Sequence, residues 1–278
     1  MKRYAICLGY LPTLDYSGFS NQLHDPQNIY TIVFSAFKRA RLINLKLDQQ
    51  IHYSSRTDRG VGALNQVIAL NAEKTPILSE INSYLPDSIR ALSFTNVSSK
   101  FHPRRDAQLR TYSYFLTVDG DFNLALARKV LKMLVGRHDF HNFAKRDPTK
   151  EINTVKNLET ADISIVGEDI YQIRLSSKSF LWQQIRRIVN HVIEVSTGIY
   201  SLEYTRQLLS PKPAKIKPTP ASPENLILED IQYQEVNFYY DQKALQSFIY
   251  ILKEQLLVAK AKTAVFSFIN NHLKGKLD

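Results

Sequence analysis

Apolar and polar positions recur along the chain with two different periods, and the changes of period mark out the elements. "YAICLGYL" reads as a first strand. Asn28 is placed to cap a helix through "IYTIVFSAFKRARL", whose Ile29, Val33, Ala36, Phe37 and Ala40 share one face. "IHYSS" and "QVIAL" read as strands flanking the turn "SSRTDRGVG". "EINSYLPDSIRAL" reads as a short helix stopped by Pro86. A strand, a basic loop and a second strand follow in "SFTNVSSKFHPRRDAQLRTYSYFLTV". "LALARKVLKMLVG" is a helix with Gly136 in the usual stopping position. "YQIRLSS" alternates like a strand, and "FLWQQIRRIVNHVIEVSTG" is a long helix ended by Gly198. "SLEYTRQLL" adds a short helix with Ser201 as cap. The Pro- and Lys-rich "PKPAKIKPTPASP" is neither helix nor central strand, "NLILEDIQY" is a last strand, and "DQKALQSFIYILKEQLLVAKAKTAVFSFINNHL" is then helical to the end.

This order predicts two α+β halves, each with helices covering one face of an antiparallel sheet. The boundaries fall at 1–104, 105–235 and a helical extension 236–278. Two such halves leave a cleft, a common location for a site.

Composition narrows the chemistry. A chain of 278 residues with 44% hydrophobic residues is long and apolar enough to fold around a substantial core. Its net charge of +10 favours a polyanionic partner, nucleic acid first. Cys7 is the single cysteine, which excludes internal disulfides and Cys-based zinc sites. No stretch approaches the ~20 apolar residues of a membrane span, and the start of the chain lacks the long apolar run of a signal peptide. A soluble, cytoplasmic protein without membrane contact is expected. There is no P-loop, no dinucleotide fingerprint and no HExxH; His138 and His141 are three apart with no evident third ligand. Catalysis would then use ordinary side chains, with no cofactor and no metal.

Three positions stand out. Asp58 lies between Arg56 and Arg59 in a turn, a framing that a solvated acid does not need. Arg186 falls, at 100° per residue, on the edge of an apolar arc formed by Leu181, Ile185, Ile188 and Val192 and widened by Trp182, Val189 and Ile193. Gln183, Arg187, Asn190 and Glu194 lie opposite, facing water. A partly buried guanidinium needs a carboxylate or phosphate; the alternative is an arginine snorkelling from the core rim. Tyr112 and Tyr114 share one strand face, either filling the core or lining a cleft where an unpaired base can stack.

"RTDRGVGALNQVIAL" resembles the signature of the tRNA pseudouridine synthase A family. "YLPDSIRAL", "FHPRRDAQLRTYSYFL", "GRHDFHNFAK", "SFLWQQIRRIV" and "TPASPENLILEDIQY" resemble further segments of that family, in the same order. The first 50 residues match weakly: "LGYLPTLDYSGFSNQ" stands where the family has YDG and GWQ elements. Asn225 stands where members often carry Gly, as a left-handed backbone would favour. The resemblance implies two ferredoxin- or RRM-like halves whose strands join into one extended antiparallel sheet flanked by helices, with the active site between them. It implies a tRNA partner, isomerisation of uridines in the anticodon stem-loop, and a homodimer. It makes Asp58 the catalytic carboxylate, Arg186 the basic residue paired with it, and Tyr112 the tyrosine near the target uridine. Arg56, Thr57, Arg59 and Arg104 become substrate contacts. The other reading, from a different class, is an RNA-binding protein or chaperone that keeps the fold without catalysis. A DNA-binding protein would need a DNA-reading helix, and none is recognisable.

Overall fold

The structure is a computed structural model that describes all residues except 22–23, 44–50, 119, 147–148, 150, 211–213, 215, 275 and 277–278. Part of the proline-rich stretch expected to be a loop thus lies outside the described residues. The strands are β1 (Lys2–Tyr10), β2 (His52–Tyr53), β3 (Gly62–Ala72), β4 (Ile89–Val97), β5 (Ala107–Thr117), β6 (Gly136–Asp139), β7 (Val155–Gly167), β8 (Ile170–Ser177) and β9 (Leu226–Tyr233). The helices are α1 (Ile29–Arg39), α2 (Leu78–Asn82), α3 (Leu124–Leu134), α4 (Gln184–Ser196), α5 (Leu202–Leu209) and α6 (Gln242–Lys274).

The nine strands of the described residues form one sheet in the order β4-β1-β3-β9-β5-β8-β7-β6, with β2 beside β3. The first half runs β4-β1-β3-β2, and the second β9-β5-β8-β7 with β6 beyond it. In each half's own count the order is 4-1-3-2, the ferredoxin-like arrangement. Every pairing is antiparallel but one. β3 and β9 run parallel and meet only at Gly62↔Ile227 and Ala63↔Leu228. Farther along β3, β2 pairs with Ala69 and Ile68. One strand therefore serves two neighbours in turn, and the segment from Ser54 to Val61 fills the gap between them. The expected single antiparallel sheet is corrected at this joint alone.

Local sequence explains most elements. Asn28 accepts from Tyr30 N and starts α1, which buries Ile29, Val33, Ala36 and Phe37. Asn123 does the same for α3. α4 buries Ile185, Ile188, Val189 and Val192. Four expectations need correction. α2 ends at Asn82, and Ile89, Arg90, Ala91 and Leu92 are buried in β4 beside β1. β6 and β7 were not anticipated; a bulge between Leu158 and Thr160 breaks the two-residue alternation of β7, so its core positions Leu158, Ala161 and Ile163 do not read as a strand. α4 begins at Gln184, not at Phe180, because Gln183 has φ +62, outside the helical region. Asn225 is not left-handed; it closes a short 3-10 turn before β9.

Candidate active site

The segment carrying Asp58 is held from four directions. From β3, the Gln66 side chain donates to Ser55 O (2.7 Å) and accepts from Ser54 Oγ (2.5 Å) and Ser55 N (3.2 Å). From β5, the buried Arg110 donates through Nε to Ser55 Oγ (3.0 Å) and through Nη2 to Ser54 O (3.0 Å) and Arg104 O (2.9 Å). Its Nη1 donates to Lys178 O at the end of β8. These acceptors are neutral oxygens, and burial pulls the Arg110 pKa below its ordinary value. Four donors shared among three segments make Arg110 a tie between the turn, the basic loop and the approach to α4. From the N-terminal half, Phe19 and Thr57 exchange backbone hydrogen bonds of 3.0 and 3.3 Å. Gly18 lies so close that a Cβ there would sit 2.5 Å from Thr57 O. Thr57 Oγ1 bonds Tyr10 OH at 2.9 Å inside the core.

So held, Asp58 points at the start of α4. Arg186 Nη1 donates to Asp58 Oδ2 at 2.8 Å, with side chains 12% and 25% exposed respectively. Arg186 is itself fixed, its Nε donating to Ala221 O at 2.6 Å. The second carboxylate oxygen is not held by Arg186. Trp182 Nε1 donates to Asp58 Oδ1 at 3.1 Å. Trp182 reaches it because the left-handed Gln183 turns the chain just before α4 and swings the indole out of the apolar arc; it is 47% exposed. Lys145 Nζ lies 4.3 Å from the centre of the indole ring.

Tyr112 lines the same cleft from β5. Its ring packs edge-on against Phe180 at 5.4 Å, and burial raises the phenol pKa despite a hydrogen bond with Ser55 and the nearby Arg110 charge. The phenol therefore stays protonated across neutral pH. Arg187 is only partly exposed to water: its Nη1 donates to Pro218 O (2.5 Å) and Nη2 to Gln183 Oε1 (3.1 Å), under the proline-rich stretch.

The cleft has a volume of roughly 1030 Å³ and takes in Asp58, Arg186, Tyr112, Arg56, Thr57, Arg59 and Arg104. All seven residues singled out in the sequence are thus brought together, Arg56, Arg59 and Arg104 on exposed rims. Arg59 Nε donates to Leu14 O at 2.9 Å. Eight lysines and arginines line the cleft against one acid, Asp58, which suits a polyanion with a single carboxylate beneath it. Sequence reasoning missed Gln66, Arg110, Gly18 and Trp182. The Arg of "RTYSY" was a visible signal for Arg110; the other three act through contacts across the chain that no local pattern encodes. No three His, Cys, Asp or Glu residues come together as metal ligands among the described residues.

A family model described as tRNA pseudouridine synthase matches residues 130–234. The chain is 34% identical to tRNA pseudouridine synthase A of Archaeoglobus fulgidus, covering 80% of this chain and 81% of that protein. It is 36% identical to the protein of the same name in Thermococcus onnurineus, covering 77% and 79%. With the one in Methanothermobacter thermautotrophicus the identity is 30% over 99% of this chain and 97% of the relative. Among solved structures, a Cbf5-Nop10-Gar1 complex is similar at a TM-score of 0.37 and 12% identity, covering 68% of this chain and 44% of that one.

Proposed function

The chain belongs to the tRNA pseudouridine synthase A family and is an isomerase acting on tRNA uridine, and from that premise we propose that it works on uridines of the anticodon stem-loop with Asp58 as its catalytic carboxylate. The observation that carries this reading is the Asp58–Arg186 pair at 2.8 Å in a cleft whose other charged lining residues are all cations. Isomerisation breaks the C1′–N1 bond, turns the uracil and joins C1′ to C5, which releases its proton; atoms balance without oxidant or reductant. It asks for a carboxylate beside the sugar, and the 2.8 Å bond from Arg186 holds Asp58 in place while offsetting the cost of its partial burial. Asp58 attacks C1′, adds to the base or removes a sugar proton; each route needs a carboxylate oxygen facing the nucleotide. The protonated Tyr112 stacks by the extruded uracil. Arg56, Arg59 and Arg104 anchor phosphates on the rim, and the Thr57 hydroxyl, engaged with Tyr10, serves the substrate by holding the turn in place.

The enzyme acts in the cytoplasm as a homodimer. In its favour, the 33-residue α6 buries only Ala244 and Phe248. Val258, Val265, Phe266, Ile269 and Leu273 continue that stripe at helical spacing, each at least 47% exposed, and offer a second copy an apolar surface. The test of the function is to map pseudouridine in unmodified tRNA incubated with the pure protein. Pseudouridine confined to the anticodon stem-loop is expected; its appearance in another arm would overturn the site assignment, and none at all would overturn catalysis by this chain.

A further inference from the structure

The carboxylate of Asp58 has two oxygens, and the structure holds them in unequal ways. Oδ2 belongs to Arg186, whose guanidinium is 12% exposed as part of its side chain and is pinned on its other edge to Ala221 O. The Arg186 backbone is pinned too, its carbonyl accepting from Ala221 N at 3.0 Å. Oδ1 belongs to Trp182, whose side chain lies on the cleft surface with about half its area in contact with solvent. Moving Arg186 means breaking the packing of α4; moving the indole means turning one half-exposed side chain away from the flexible Lys145, whose Nζ lies 4.3 Å from its ring centre. The backbone beneath it is fixed, since Trp182 O accepts from Lys145 N at 2.9 Å.

The indole N–H engages one of the two lone pairs of Oδ1, and the ring that donates it lies in the cleft by which a sugar or a base would approach that oxygen. Resting on the reading of Asp58 as the catalytic carboxylate, we propose that Trp182 is a displaceable cap on that group: the indole N–H holds Oδ1 in the free enzyme, and the incoming uridine takes its place. Oδ1 is then the working oxygen by every chemical route, and Oδ2 stays with Arg186 throughout. Without the cap, Oδ1 of Asp58 in the empty enzyme would face the positive rim or bulk water with no protein donor. With it, the cleft is satisfied when empty, and opening it is a small part of the work of binding. Trp182 is on this view a positioning residue that acts through Asp58. The left-handed Gln183, a conformation rare in non-glycine residues, is what aims the indole across the cleft.

Trp182 is the single tryptophan of the chain, so its emission reports this one contact in the wild-type protein. Saturating unmodified tRNA should change the emission spectrum, and in stopped flow the change should precede pseudouridine formation. The free Asp58→Ala variant, which has no carboxylate for the indole to hold, should already emit differently from free wild type. Trp182→Phe keeps a ring and loses the donor, so tRNA no longer has to displace it. Its tRNA affinity should rise by about fivefold, the worth of one modest hydrogen bond removed from the free state. An emission spectrum unmoved by saturating tRNA, or a change no faster than product formation, would overturn the cap. So would weaker tRNA binding by Trp182→Phe, which would make the indole an RNA contact instead. Pseudouridine formation by wild type is read in the same samples; its absence would mark failure of the functional reading, separately from that of the cap.

Discussion

Gly18 has no side chain, yet the position of Asp58 depends on it. A Cβ at Gly18 would lie 2.5 Å from Thr57 O and 2.8 Å from both Arg59 N and Asp58 C, at a φ of +94 that L-residues rarely adopt. Gly18→Ala should push the turn away from Arg186 and slow the single-turnover rate by about a hundredfold, the cost of misplacing a reacting group by around 1 Å. Circular dichroism and a filter-binding titration check that the fold persists and that tRNA affinity stays within a few-fold. Arg186→Lys should lower the same rate about ten- to a hundredfold, because lysine cannot serve Ala221 O and Asp58 together. Arg187→Ala loosens Pro218 and Gln183 instead and should slow the chemical step less. The reverse order in single-turnover kinetics would remove Arg186 from the site. Asp58, Arg186 and Tyr112 were legible because each sits in a short local pattern. Trp182 was not: a straight helix from Phe180 carries it into the apolar arc, and the one left-handed residue that throws it out leaves no mark in the periodicity.

At the scale of elements, α4 carries the site on one end and anchors the fold on its middle turn. His191 is fully buried there, its Nε2 2.9 Å from Thr205 Oγ1 of α5, and burial lowers its pKa to about 4. The folded chain thus keeps His191 neutral where the unfolded chain protonates it. The unfolded state binds more protons between its ordinary value near ~6.5 and the folded value, so stability falls as pH drops through that window and is fully present above it. The loss by pH 5 from this residue is about 1–2 kcal/mol. Chemical denaturation of wild type and His191→Gln at pH 7 and pH 5 should show a smaller drop for the variant; equal drops would put the titrating group elsewhere. The helices α1, α3 and α4 were readable from caps and one-sided apolar faces, because each buries a single stripe. β7 and the first four residues of β4 were not, since a bulge breaks the alternation of one and a proline placed just before the other imitates a helix end.

Over the whole molecule, the turn bearing Asp58 occupies the gap where β3 changes partner from β2 to β9, and α4 of the second half closes over it. The order of elements revealed two α+β halves; the parallel joint between them depends on which strand edges remain free, which no single segment specifies. Asn65 of β3 donates to Asp230 of β9 at 2.8 Å across that joint. The eight cations around the cleft should make tRNA binding fall steeply with salt as counterions are released; a log–log slope near zero would assign the +10 charge to another purpose. Val265→Asp combined with Ile269→Asp should convert a dimer to a monomer in sedimentation velocity, and a dimer that persists would move the interface away from α6. The central claim is that Asp58 does the chemistry and the cations do the binding. The direct measurement is single-turnover pseudouridine formation in unmodified tRNA by Asp58→Asn at saturating enzyme, with tRNA affinity measured alongside. No pseudouridine at an affinity within a few-fold of wild type is the expected result; a rate comparable to wild type would contradict it.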